Sequence, residues 1–231
     1  MEKWTIGGLP KINIAKVAMA NDVLGPGRRA IVWVQGCRKR CKECMSPEWL
    51  PLRAANSLLP KSLAHILLDA NVNGVTISGG EPMLQAAGLS ECLRIVKMVH
   101  DTSVICFSGY TLSNLKKSPP GPGVEDLLGQ LDVLIDGPYI PTFNDGRGMR
   151  GSTNQHFHFL TNRFAGQSEE WEQRVRISEV LITSDGAMLI GVPASGVLET
   201  FHKSIDLFNA TVILDYPENG TNIQANDTEE K

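Results

Sequence analysis

At 231 residues, the chain has the length of one domain, or of one domain with an appendage. Its 42% hydrophobic content supports a proper core, and a formal net charge of −3 leaves no basic footprint for nucleic acid. There is no signal-peptide apolar run and no stretch long enough to cross a membrane, and an odd count of five cysteines argues against a secreted disulfide framework. The expectation is a cytoplasmic protein that meets neither membrane nor nucleic acid.

Residues 30–35 (AIVWVQ) form a buried-strand run that leads directly into CRKRCKEC. Residues 63–70 read as a helix with Ser62 as a candidate N-cap. GVTIS (74–78) is a short β-branched strand ending at Gly79-Gly80, and Leu89, Cys92, Leu93 and Val96 mark the apolar face of a helix. VICF (104–107) is a strand ending at SGYT. The loop SPPGPG, a short helix over 124–130 and a strand over 131–135 ending at DGPY follow. Strands separated by helices predict an α/β fold with a parallel sheet. The polar and glycine-rich sequence repeatedly falls just after a strand, which is the rim that carries chemistry in α/β barrels.

Beyond residue 156 the texture changes. A strand over 156–160 and a polar stretch over 162–172 precede a hairpin of 175–183 and 187–192 about a D-G turn. A helix over 195–208, an extended piece over 211–214 and a disordered polar tail over 217–231 complete the reading. The expected organisation is a main unit over 1–160, a small α+β extension over 161–216 and the tail. The segment 165–214 is expected to close the flank of the main unit or to form a docking surface.

Three of the five cysteines, Cys37, Cys41 and Cys44, fall within eight positions as C-x3-C-x2-C. Structural zinc wants four closed ligands, and the nearest histidine is His65. Three thiolates can instead hold three irons of a [4Fe–4S] cluster and leave the fourth open. The spacing favours the cluster, and zinc stays as the alternative. Cys92 and Cys106 read as core. Ser78-Gly79-Gly80-Glu81-Pro82 after the second strand suits close backbone approach to the polar end of an amino acid. His156 and His158 share one strand face, where packing outweighs a metal role. Arg38, Lys39, Arg40 and Lys42 form a basic loop, solvated by default and able to attract an acidic partner or reductant.

C-x3-C-x2-C after one strand and GGEP after the next resemble the radical S-adenosylmethionine superfamily. Gly25-Pro26-Gly27-Arg28-Arg29, IVWVQGC and CKEC-MSPEW are similar to the run that marks glycyl-radical-enzyme activases. SGYT (108–111), DVLIDGPY (132–139) and RGSTNQ (150–155) resemble the group that acts on anaerobic ribonucleotide reductase. The likeness spans residues 12 to 156. It implies a partial (β/α) barrel with a C-terminal α+β extension. It also implies a [4Fe–4S] cluster on Cys37, Cys41 and Cys44, with S-adenosylmethionine chelating the fourth iron. Reductive cleavage would give a 5′-deoxyadenosyl radical that takes hydrogen from a glycine of a partner.

By the same resemblance Gly79, Gly80 and Glu81 hold the methionyl amine. Glu43, Cys44 and Met45 contact adenine, and Asp136, with Gly137 and Pro138, faces the ribose or methionyl end. Gly25, Gly27, Arg29, Arg150 and Asn154 are the candidate substrate or partner residues. The implied partners are a glycyl radical enzyme or other protein substrate and a flavodoxin- or ferredoxin-type electron donor. Two positions depart from the family pattern. Glu43 stands where a small or aromatic residue is usual. Leu24 stands where an acidic or amide residue precedes GPG, with Asp22 two positions earlier as a stand-in. The other readings are a stand-alone radical S-adenosylmethionine enzyme acting on a small molecule, nucleotide or peptide, and a non-catalytic metal-binding module.

Overall fold

The computed structural model describes residues 5–6, 9–183, 186–194 and 196–207. Two short strands, β1 (Thr5–Ile6) and β2 (Leu9–Pro10), pair with each other ahead of the main sheet. Among the described residues the sheet has seven strands: β3 (Ile12–Asn21), β4 (Arg28–Val34), β5 (Asn56–Leu58), β6 (Gly74–Gly79), β7 (Ser103–Ser108), β8 (Val133–Asp136) and β9 (His156–Phe159). Their spatial order is β5-β3-β4-β6-β7-β8-β9. The centre, β4-β6-β7-β8, is parallel, while β5 and β3 on one side and β9 on the other join antiparallel. The fold is therefore mixed α/β, as the alternation of strands and helices predicts.

Helices α1 (Pro60–Asp69), α2 (Ala86–Val99), α3 (Leu112–Lys117) and α4 (Val124–Leu128) connect the strands. No helix among the described residues is long and apolar enough to cross a membrane. Ser62 does not cap α1. The helix starts at Pro60, whose fixed φ suits the first turn, with Leu59 in the cap position and no side-chain cap. The long strand β3 has no counterpart in the sequence reading. Its burial alternates only in part, and a register shift between Ile14 and Lys16 breaks the period.

Both faces of the sheet are covered, so β4 reads as a continuous apolar run rather than an alternating one. Ala30, Val32 and Val34 face the helices, packing with Leu63, Leu89, Leu93 and Val96. Cys92 and Cys106 lie in this same layer, fully buried, where burial pushes both thiols up. They are core residues, as expected.

The other face carries Ile31, Trp33, Ile105, Val133 and Ile135, and residues after 160 fill it. The stretch 162–172 is more than polar: Phe164 and Trp171, the latter on α5 (Ser168–Gln173), are buried against Ile105, Val133 and Ile135. Strands β10 (Ser178–Thr183) and β11 (Gly186–Gly191) form the predicted hairpin; Ser184 and Asp185 of its turn lie outside the described residues. Met188, Ile190 and Val192 press onto Ala18, Ala20, Ile31 and Trp33. Arg174, at the end of α5, donates to the Val23 carbonyl in the turn after β3, and Glu179 of the hairpin accepts from the Asn21 N–H of β3. Helix α6 (Val197–Leu207) follows. The extended piece expected over 211–214 and the tail over 217–231 lie outside the described residues.

Arg29 opens the same face at the end of β4 where Gly74 pairs with it, away from the cysteine loop. It is 1% exposed, and all of its donors are used. Nε donates to Thr76 Oγ1, Nη1 to Ser103 Oγ and the Pro26 carbonyl, and Nη2 to the Val75 and Ser103 carbonyls. Burial lowers its pKa to about 10, so the side chain remains charged at neutral pH. Gly74 and Gly25 leave room for it; a Cβ at Gly74 would lie 2.3 Å from Nη1. Arg29 therefore serves the fold and is not presented to a partner. Arg29→Met is expected to lower unfolding free energy by about 2–5 kcal/mol, because buried acceptors lose a charged donor. Urea unfolding measures this, and an unchanged midpoint would refute it.

Candidate functional site

The loops that follow β4, β6, β7 and β8 meet at one rim of the sheet, the general location of ligand sites in parallel α/β folds. Cys37, Cys41 and Cys44 line one cavity there together with Met45, Gly79, Gly80 and Glu81. All three thiols are free and partly buried. Burial pushes Cys37 up to about 12, with the Glu81 charge adding, and burial raises Cys44 as well. The thiols are close enough to perturb one another. Yet among the described residues no three His, Cys, Asp or Glu side chains gather as a single metal ion requires. A cluster takes one thiolate per iron and so does not need that convergence. The donor set, three thiols with no fourth ligand closing the group among the described residues, fits a [4Fe–4S] cluster better than structural zinc. Glu48, beside Cys44, is pushed up to about 7 by burial.

Gly79, the last residue of β6, and Gly80 after it are required by close packing of the backbone. A Cβ at Gly79 would lie 2.6 Å from the Val34 N, and one at Gly80 would lie 2.4 Å from the Gly36 carbonyl. The Gly80 N–H donates to Val34 and the Glu81 N–H to Gly36, so this segment is laid directly against the start of the cysteine loop. Gly80→Val is therefore expected to lose both bound iron and S-adenosylmethionine affinity, since the branched side chain displaces Gly36 and Cys37 together. Iron assay and calorimetry check this; a variant that kept its iron would refute the shared packing.

Glu81 is 1% exposed and closes the corner between β6 and β7. Its carboxylate accepts from Ser108 Oγ, Met83 N–H and Gly109 N–H at 2.8–3.0 Å. Burial pushes its pKa up, and these donors together with Lys39 pull it back. SGYT thus takes part in the site through Ser108 and Gly109, two residues that the motif resemblance does not single out.

The remaining selected residues divide. Glu43 is exposed, pairs loosely with Lys42 and does not line the cavity, whereas Cys44 and Met45 do. Its φ of 53° is left-handed, which explains why a small residue would be at ease there. Asp136 is buried on the helix-bearing face, two residues after Leu134, and does not line the cavity. Its Oδ2 accepts from the Leu112 N–H at 2.5 Å and lies 2.8 Å from His158 Nε2, with His156 3.7 Å from Oδ1. The two histidines of β9 thus pack about Asp136. Pro138 also stays out of the cavity, while Gly137 and Tyr139 enter it.

In RGSTNQ, Arg150 pairs with Asp145 and Glu172, and Asn154 Nδ2 donates to the Pro138 carbonyl. Neither lines the cavity; Gly151 and Gln155 do. Gln155 accepts from the Gly151 and Ser152 N–H groups and donates to the Gly137 carbonyl, clasping DGPY to RGSTNQ. Gly151 has no room for a Cβ, which would meet Tyr139 at 2.8 Å and Met45 at 3.0 Å. Tyr139 and Gln155 close the DGPY and RGSTNQ motifs, and that position is their one signal in the sequence.

Gly25 and Gly27 build the turn between β3 and β4. The Gly27 N–H donates to Asp22 Oδ1 at 2.6 Å, so Asp22 holds the turn and is not a polar stand-in at the site. Leu24 reaches the cavity wall and meets Gly191 and Val192 of the hairpin there.

The model of the 4Fe-4S single cluster domain family matches residues 23–158. The anaerobic ribonucleoside-triphosphate reductase-activating protein of Vibrio cholerae is 34% identical over 149 residues, 60% of this chain and 92% of that protein. The pyruvate formate-lyase-activating enzyme of Listeria monocytogenes is 35% identical over 179 residues, 73% of this chain and 68% of that enzyme. The anaerobic ribonucleoside-triphosphate reductase-activating protein of phage T4 is 28% identical over 154 residues, 62% of this chain and 92% of that protein. The matched stretch holds the three cysteines, the Gly79–Glu81 segment and the DGPY and RGSTNQ turns that share the cavity. The chain belongs to the 4Fe-4S single cluster domain family, within the glycyl-radical-enzyme activases of the radical S-adenosylmethionine superfamily.

Proposed function

We propose that this chain activates a glycyl radical enzyme of the anaerobic ribonucleotide reductase kind. One observation carries the reading: Cys37, Cys41 and Cys44 open into the same cavity as Gly79, Gly80 and Glu81. The cluster and S-adenosylmethionine supply the chemistry when bound, an electron for the sulfonium and an adenosyl radical able to take hydrogen from a glycine Cα. The chain's own residues hold and shield. Cys37, Cys41 and Cys44 ligate three irons, and Gly79 and Gly80 offer backbone to the methionyl amine. Met45, Tyr139, Gln155 and Phe107 wall the cavity against water.

In this reading the sheet with its helices is a partial (β/α) barrel over 1–160, and 161–216 is an extension whose described residues, Phe164, Trp171, Met188 and Ile190 among them, cover one face of it. Asp136, Arg150 and Asn154 act as positioning residues for the DGPY and RGSTNQ turns rather than as contacts. The exposed Arg38, Arg40 and Lys42 surround the cluster loop and suit an acidic flavodoxin- or ferredoxin-type donor in the cytoplasm. The test is anaerobic incubation of reduced, cluster-loaded protein and S-adenosylmethionine with the anaerobic ribonucleotide reductase of the same organism. A glycyl-radical resonance in the reductase is the expected result. 5′-Deoxyadenosine without that resonance would turn the reading to a stand-alone enzyme, and neither product would leave a binding module.

A further inference from the structure

Among the described side chains lining the cavity, Lys39 is the one cation. It lies between Cys37 and Cys41, and its stem crosses the SGYT turn. A Cβ at Gly109 would lie 3.3 Å from Lys39 Cγ, so the glycine is what allows the stem to lie so close. The ammonium sits 4.3 Å from the centroid of the Tyr110 ring, a contact that holds a cation without neutralising it. Glu81 is near enough to feel its charge, but the Glu81 oxygens are already occupied by Ser108, Met83 and Gly109. Lys39 is thus oriented, partly buried and without a carboxylate in ion-pair contact among the described residues.

An amino-acid end carries its ammonium and its carboxylate on one carbon. A site for it needs acceptors and a cation side by side. Gly79 and Gly80 bring backbone to the cavity wall, and Lys39 is the cation that lines the same cavity among the described residues. We propose that Lys39 is the binding partner of the methionyl carboxylate of S-adenosylmethionine, held ready by Gly109 and Tyr110. The inference rests on the S-adenosylmethionine reading above and adds to it a specificity residue on the cysteine loop. A cation already held in place loses little freedom on binding, and a charge-assisted hydrogen bond is worth more than a neutral one.

Cluster-loaded protein titrated anaerobically by calorimetry tests this, with two probes. S-Adenosylmethionine carries the amino-acid end, and 5′-methylthioadenosine lacks it. Lys39→Met is expected to weaken S-adenosylmethionine by about tenfold or more, and to change 5′-methylthioadenosine by less than about twofold. Lys39→Arg should recover most of the loss, and iron content and the cluster's visible absorption should match the parent protein. Equal losses for both probes, or no loss for S-adenosylmethionine, would overturn the proposal. Lys39→Gln is the second variant; if it and Lys39→Met both fail to hold the cluster while Lys39→Arg holds it, the residue supports the loop and the proposal fails. A parent protein that binds no S-adenosylmethionine would refute the underlying reading instead, so the two failures are distinct.

Discussion

Cys41→Ala is expected to remove most bound iron and all reductive cleavage of S-adenosylmethionine. The parent protein, reconstituted without oxygen, should be brown and carry about four irons per chain. The variant loses one of three thiolates from a loop that has no fourth cysteine to recruit. Cys92 and Cys106 are buried in the helix-facing layer, behind the sheet, and cannot move into the ligand's place. Iron and sulfide assays with detection of 5′-deoxyadenosine decide the matter. Stoichiometric zinc without sulfide in the native protein, or a Cys41→Ala variant that kept full activity, would refute the assignment. Cys92→Ala is the control; it should leave the iron in place and cost stability alone.

Truncation after Leu160 is expected to cost the fold itself. The residues removed include Phe164, Trp171, Met188 and Ile190, each nearly or fully buried against the face of the sheet opposite α1 and α2. Burying one such side chain is worth about 1.5–3 kcal/mol, so these four account for about 6–12 kcal/mol, comparable to the whole stability of a typical domain. Their loss would also uncover Ile31, Trp33, Ile105, Val133 and Ile135. The truncated chain should be insoluble or fail to hold iron. Full solubility and iron content with loss of partner activation would instead assign the extension to docking. The hairpin retains an outward side that suits such a second use, since Val180 and Ile182 are 48% and 79% exposed.

The sequence by itself determined that three thiolates act together in this chain, with an iron–sulfur cluster favoured over zinc. Cysteine spacing is a local property, and C-x3-C-x2-C can be read without knowing the fold. The placement of CRKRCKEC, SGGEP, SGYT and DGPY just after apolar runs was equally legible, because a parallel strand buried on both faces is written as a continuous run of Val, Ile and Leu. The rim of the site followed from that.

Only the tertiary structure decided which member of each motif faces the cavity. Side chains alternate along a strand, and where both faces are buried the sequence carries no mark of which parity points inward. Asp136 therefore falls on the helix side with His158, while its neighbour Gly137 and then Tyr139 enter the site. Arg29 goes to the far end of β4 for a similar reason: its partners Thr76, Val75 and Ser103 lie 46 to 74 residues away, and no local pattern announces them. The role of Phe164 and Trp171 was hidden in a polar stretch, since two apolar residues have no period. What fixes them is the second face of a sheet that the first 160 residues leave uncovered, and that need arises only once the strands have assembled.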